Sequence, residues 1–102
     1  MRAVIQAIGH PVRAAMLQQI AEESKSFREL EQTLDIRTGQ LRYHAKKLAD
    51  LTILEIDQSG KHHRCRLGKA VVGLKGPTER VLTITAGDGS TISFPLESLS
   101  RE

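Results

Sequence analysis

Apolar residues recur at helical spacing in four successive segments of the chain. From Ala3 to Ile8, the apolar Val4, Ile5 and Ile8 predict a short first helix, broken at Gly9-His10-Pro11. Pro11 suits the first position of a second helix, where its missing N–H costs nothing. Val12, Ala15, Met16 and Ile20 form that helix's stripe with Leu17 beside it, and the segment fades at Glu22 to Lys25. Ser26 and Glu29 make an S-x-x-E capping box, which predicts a third helix with Phe27, Leu30 and Leu34 on its buried face. Asp35-Ile36-Arg37 reads as a tight connection. The fourth helix starts at Thr38 as N-cap and runs to about Leu51, burying Leu41, Ala45, Leu48 and Leu51.

Beyond the helices the period shifts to two. Ile53 to Asp57 and His63 to Leu67 predict two strands around Gln58-Ser59-Gly60-Lys61, a turn of hairpin length. Gly68 to Pro77, with three glycines and a proline, has the composition of turns and linkers. Arg80 to Ala86 alternates with Leu82, Ile84 and Ala86 on one face, and Thr91 to Phe94 alternates again across Gly87-Asp88-Gly89-Ser90. A hairpin of this kind is marginal alone in water, so its apolar face must cover the core or pair with another chain. The expected architecture is α+β: a winged helix-turn-helix of three to four helices and a hairpin wing over residues 1–69, a linker over 70–79, and a C-terminal β-hairpin over 80–102 that covers the core or serves dimerisation.

At 102 residues the chain holds one modest core and has little room for a buried catalytic cleft. Phe27, Tyr43 and Phe94 are its only Phe, Tyr or Trp rings, too few for the stacking platforms that bind single-stranded nucleic acid. Cys65 stands alone and forms no internal disulfide, no apolar run has the length of a membrane span, and no signal peptide is expected. A cytoplasmic protein outside the membrane is the expectation.

The net charge of +3 is mild, but its distribution is uneven. Residues 1–33 hold four basic and four acidic side chains, residues 34–69 eight and four, and residues 70–102 three and four, so the excess sits in the middle third. Local positive charge set against a backbone is what phosphate attraction needs. The fourth helix carries Gly39, Gln40, Arg42, Tyr43, Lys46 and Lys47 on its polar side, where Arg and Gln can bond base edges and Lys can neutralise phosphate. The hairpin adds Lys61, His62, His63, Arg64 and Arg66.

These ordered pieces resemble the ArsR-like winged-helix family of small prokaryotic repressors over roughly residues 3–69. Ile8 to Leu17, IGHPVRAAML, is similar to the family's opening of a helix break, Pro, Arg and an aliphatic helix. Phe27-Arg28-Glu29-Leu30 with Leu34-Asp35-Ile36 resembles its positioning helix and turn, and Thr38 to Leu48, TGQLRYHAKKL, its recognition helix. The resemblance implies that Thr38, Gly39, Gln40, Arg42, Tyr43 and Lys46 face the major groove of DNA. It implies that Arg37 and Lys47 meet phosphate, and that Lys61, Arg64 and Arg66 work from the wing. His44 sits where the family often has His, with packing or hydrogen bonding as its expected role. Phe27 to Leu34 lacks the cysteines of metal-sensing members, and the C-terminal hairpin stands where the family has a terminal helix.

The expected function is a sequence-specific double-stranded DNA-binding regulator, a repressor, acting as a homodimer without cofactor, metal or catalysis. The competing readings are a winged-helix protein-interaction or assembly module, and an architectural protein that coats DNA with little sequence preference. His62, His63 and Cys65 are ligand types without the paired spacing of a closed zinc site. Cys65 beside Arg64 and Arg66 has the setting of an oxidant-sensing thiolate, although a half-buried strand cysteine is the commoner case. No nucleophile-base order or Gly-rich phosphate loop points to an enzyme.

Overall fold

The protein, seen here in a computed structural model, is described for residues 2–75 and 81–95. Four helices come first: α1 (Arg2–Ile8), α2 (Pro11–Glu22), α3 (Phe27–Leu34) and α4 (Thr38–Asp50). Two antiparallel three-stranded sheets accompany them. β1 (Lys25–Ser26), β3 (Arg64–Leu67) and β2 (Leu54–Asp57) lie side by side in that order, and β5 (Val81–Thr85) lies between β4 (Val71–Lys75) and β6 (Thr91–Pro95).

Local chemistry sets the helix starts. Pro11 opens α2 behind His10, whose Nδ1 accepts the Val12 N–H at 3.1 Å. Ser26 caps α3 with its hydroxyl accepting from Glu29 N at 3.1 Å, while Glu29 Oε1 accepts from Ser26 N at 2.8 Å, so the capping box forms as expected. The start of α4 differs by one residue. Arg37 is the N-cap and makes no side-chain cap bond, and Thr38 already lies inside the helix, its hydroxyl donating to Glu31 Oε2 at 2.7 Å. That bond to the preceding helix draws Thr38 away from its own backbone.

One core serves the described residues. Met16 and Leu17 of α2, Leu30 of α3, and Leu41, Ala45 and Leu48 of α4 are fully buried, together with Ile53, Cys65, Leu82 and Ile84. Removing this much apolar surface from water is the main favourable term of folding, about 25 cal/mol per Å². In α2 the buried alanine is Ala14, while Ala15 stays half-exposed. The C-terminal sheet joins the core through β5: Leu82 and Ile84 point inward and Thr83 and Thr85 are half-exposed, the alternation expected of one covered face.

Gly68 fastens the wing to the end of α4. A Cβ at this position would lie 2.2 Å from the Thr52 carbonyl oxygen, so only glycine permits the approach. The Gly68 N–H donates to Ile53 O at 2.8 Å and the Ala70 N–H to Thr52 O at 2.9 Å. Thr52 itself adopts a left-handed φ of 57°, uncommon for a β-branched residue, and its N–H closes α4 on Ala49 O.

Two strands depart from the sequence expectation. Residues 71–75, expected as part of a linker, form β4 and pair with β5 through a bulge between Val71 and Gly73, so the C-terminal hairpin is two strands of a three-stranded sheet. β1 pairs Lys25 with Cys65 and Ser26 with Arg64, adding a third strand to the wing. The strands expected at 53–57 and 63–67 form with one residue fewer each. Arg80 and residues 96–102 of the expected appendage, and Gly76 and Pro77 of the linker, lie outside the described residues.

Candidate nucleic-acid interface

α4 buries one side and leaves the other open. Leu41, His44, Ala45 and Leu48 face inward, while Thr38, Gly39, Gln40, Arg42, Tyr43, Lys46 and Lys47 are all exposed. Gly39, Tyr43 and Lys46 stand at i, i+4 and i+7, which makes them the outermost line of the helix. Tyr43 is 54% exposed, a large ring presented to solvent. The Lys47 ammonium lies 5.4 Å over the Tyr43 ring, and Lys46 pairs with Asp50 at 3.8 Å.

A cleft separates the wing tip from the helices. Ser26, Phe27, Arg28 and Glu31 of α3 and its cap, Arg42 of α4, and Lys61, His62 and His63 of the wing line it. The Arg42 guanidinium stacks 4.6 Å over the Phe27 ring at this edge. The wing is anchored here, because Phe27 N donates to His63 O at 3.2 Å. Arg28, absent from the candidate residues read from the sequence, adds a cation to the cleft, and its place two residues past the Ser26 cap was the signal available.

The wing arginines differ from Lys61. Arg66 Nε lies 2.7 Å from Glu55 Oε1 and its Nη1 lies 3.8 Å from Asp57 Oδ2; this bonded partner raises the arginine's pKa. Arg64 donates to Ser24 O at 2.8 Å and sits 3.7 Å from Glu29 Oε1. Both side chains remain about half exposed, so these are surface pairs of modest strength. Lys61 is exposed at the tip, and Arg37 is exposed where α4 begins.

Cys65 corrects the thiolate reading. Its side chain is fully buried, on the opposite face of β3 from Arg64 and Arg66, and burial pushes the thiol pKa up to about 12 against a small opposing effect of Arg42. Strand alternation separates neighbours in sequence onto opposite faces. Among the described residues no three His, Cys, Asp or Glu side chains gather as a metal site, and no helix is long and apolar enough to cross a membrane.

The geometry matches solved structures. The chain superposes on the transcriptional repressor BigR from Xylella fastidiosa with a TM-score of 0.60 at 29% identity, over 65% of each chain. It superposes on Rv0081 from M. tuberculosis with a TM-score of 0.60 at 17% identity, over 63% of this chain and 65% of that one. The fold is a winged helix. No protein-family model and no curated protein matches the chain. The likeness bears out four helices with antiparallel β-hairpin sheets, and the region matched is about two thirds of each neighbour. In winged-helix terms α3 and α4 are the helix-turn-helix, with the left-handed Asp35 (φ 52°) as C-cap of α3, and β2–β3 is the wing.

Proposed function

We propose that this chain is a sequence-specific double-stranded DNA-binding transcriptional regulator of the ArsR-like kind, a repressor, working without catalysis as a cytoplasmic homodimer. The observation that carries the reading is the outward face of α4, with Gly39, Gln40, Arg42, Tyr43 and Lys46 free of the core, on a fold similar to that of a transcriptional repressor. In such an arrangement the second helix of the helix-turn-helix lies in the major groove. Arg42 and Gln40 are the groups suited to base edges, and Thr38, Gly39, Tyr43 and Lys46 complete the groove-facing surface. Arg37, Lys47 and Lys61 supply phosphate contacts, with Arg64 and Arg66 contributing less because carboxylates already face them.

Selection of bound sequences from a random duplex pool tests the reading. A preferred sequence is expected, repeated as two half-sites about 10 base pairs apart if a two-fold dimer binds. Binding that is equal on all duplexes, or absent at low salt, overturns it. Sedimentation showing only monomer on the selected duplex overturns the dimer.

A further inference from the structure

His44 ties the outward-facing helix to the start of α2 by a bond that only a neutral ring can accept. It lies on the inner side of α4, 9% exposed, with the Tyr43 ring edge-on at 5.3 Å. Its Nδ1 accepts from Arg13 Nε at 3.1 Å, and its ring stands 4.4 Å from that of His10. His10 is committed in the same way, since its Nδ1 accepts the Val12 N–H that caps α2. Both acceptor nitrogens must be unprotonated, which puts each ring's single proton on Nε2.

Protonating His44 removes the acceptor and sets a cation against Arg13 beside a second imidazole. The charges that register at His44 are His10 and Arg13, and with burial foremost they hold its pKa below the usual histidine range. Among the described residues no carboxylate joins them. α1 brings Arg2; α3 brings Arg28 and two carboxylates, Glu29 held by Ser26 and Arg64 and Glu31 by Thr38. β2 brings Glu55 and Asp57, both facing Arg66, and on α4 itself Asp50 pairs with Lys46 while Lys47 lies over Tyr43.

We propose that His44, Arg13 and His10 form a proton-sensitive latch that positions α4 for DNA, so that acidification releases the duplex. The proposal rests on the DNA-binding reading above, and the three are positioning residues rather than DNA contacts. The sign follows from linkage. The unfolded chain takes up a proton in the ordinary histidine range while folded His44 resists, so stability is intact above that range and is lost as the pH falls through the lowered value. General electrostatics runs the other way, since acidification adds positive charge and strengthens attraction to phosphate. A fall in affinity is therefore diagnostic.

The test follows affinity for the selected duplex and melting temperature from about pH 8 to about pH 5, past the ordinary histidine range because His44 is lowered. Wild type, His44→Gln and His10→Asn are compared: Gln keeps an oxygen for Arg13 without titrating, and Asn keeps the cap acceptor. Wild type is expected to lose about fivefold or more in affinity, the lower end of typical site coupling, and to melt lower. His44→Gln holds its melting temperature level and does not lose affinity, and His10→Asn loses less than wild type. A wild-type affinity that rises or stays level, or an equal fall in His44→Gln, overturns the latch. If no duplex binds at any pH, the DNA reading fails, and the latch stands or falls on the melting contrast alone. If His44→Gln does not fold, His10→Asn carries the comparison.

Discussion

Arg42 of α4 lies with its guanidinium 4.6 Å over the ring of Phe27, the first residue of α3. The contact orients an exposed side chain from the neighbouring helix, at the edge of the cleft that Lys61, His62 and His63 also line. An arginine held in one direction loses less rotamer freedom on binding than a free one. Arg42→Ala is expected to relax base preference at one position by about 1–3 kcal/mol. Phe27→Leu, which keeps an apolar side chain in the core, should reproduce part of that relaxation. Competition against singly substituted duplexes measures both; uniform weakening on all sequences would place Arg42 on a phosphate instead.

The Ser26/Glu29 box predicts an acid-dependent melting curve. The Ser26 N–H bonded to the Glu29 carboxylate, then Arg64 and Lys25 nearby, hold its pKa below the usual value. A carboxylate lowered in the folded state lends stability that is present above the unfolded value and is lost as the pH falls through the folded one. Glu29→Gln should therefore melt lower than wild type at neutral pH and show a flatter decline in acid. Ser26→Ala removes the cap acceptor and should cost about 1 kcal/mol. Both are read by thermal unfolding across pH.

That box was legible in the sequence because both partners lie three residues apart. The stripe Leu41, Ala45 and Leu48 was legible for the same reason, and it fixed which side of α4 faces out. β1 was not, because two residues carry no period, and Lys25 is a strand only through its pairing with Cys65, forty residues on. β4 was hidden by Gly73, whose strand state comes from β5 beside it. The carboxylates facing Arg66 had a signal in the hairpin itself. Once the hairpin register is drawn, Glu55 stands opposite Arg66 and Asp57 opposite Arg64. Arg13, His10 and His44 are brought together only by the packing of α2 on α4.

Cys65 should behave as a core residue. With its thiol pushed up to about 12 and the side chain fully buried, modification by a thiol reagent at neutral pH should be slow in the native protein and fast in urea. Cys65→Ser leaves a hydroxyl in the same place and should cost about 1–3 kcal/mol unless it finds a partner. Equal labelling rates in native and unfolded protein would contradict the burial.

The two ends of the wing should differ in salt dependence. Lys61 is exposed at the tip and lines the cleft with Arg42, whereas Arg66 is already matched by Glu55 at 2.7 Å. Each phosphate neutralised releases counterions and adds about 0.9 to the slope of log affinity against log salt. Lys61→Ala should lower the slope by about that amount. Arg66→Ala should lower it much less, and Glu55→Gln, which leaves Arg66 only its longer pair with Asp57, should raise it. Salt titrations of duplex binding decide; equal slopes in all variants would remove the wing from the DNA surface.

Gly39 is the position where stability and binding should part. It lies in the first turn of α4, and a Cβ there would meet nothing within 4 Å, so no packing inside the molecule calls for glycine. Inside a helix, glycine costs about 0.5–1 kcal/mol relative to alanine. Gly39→Ala should therefore raise stability by about that amount, mostly by restricting the unfolded chain. The methyl group would project from the outermost line of the helix, beside Tyr43 and Lys46, where a nucleic-acid backbone or base edge has to come close. Affinity for the selected duplex should fall while the melting temperature rises. A variant that gains stability and binds unchanged would show that nothing approaches α4 at Gly39, and would move the contact surface toward the wing side, around Arg42 and Lys61.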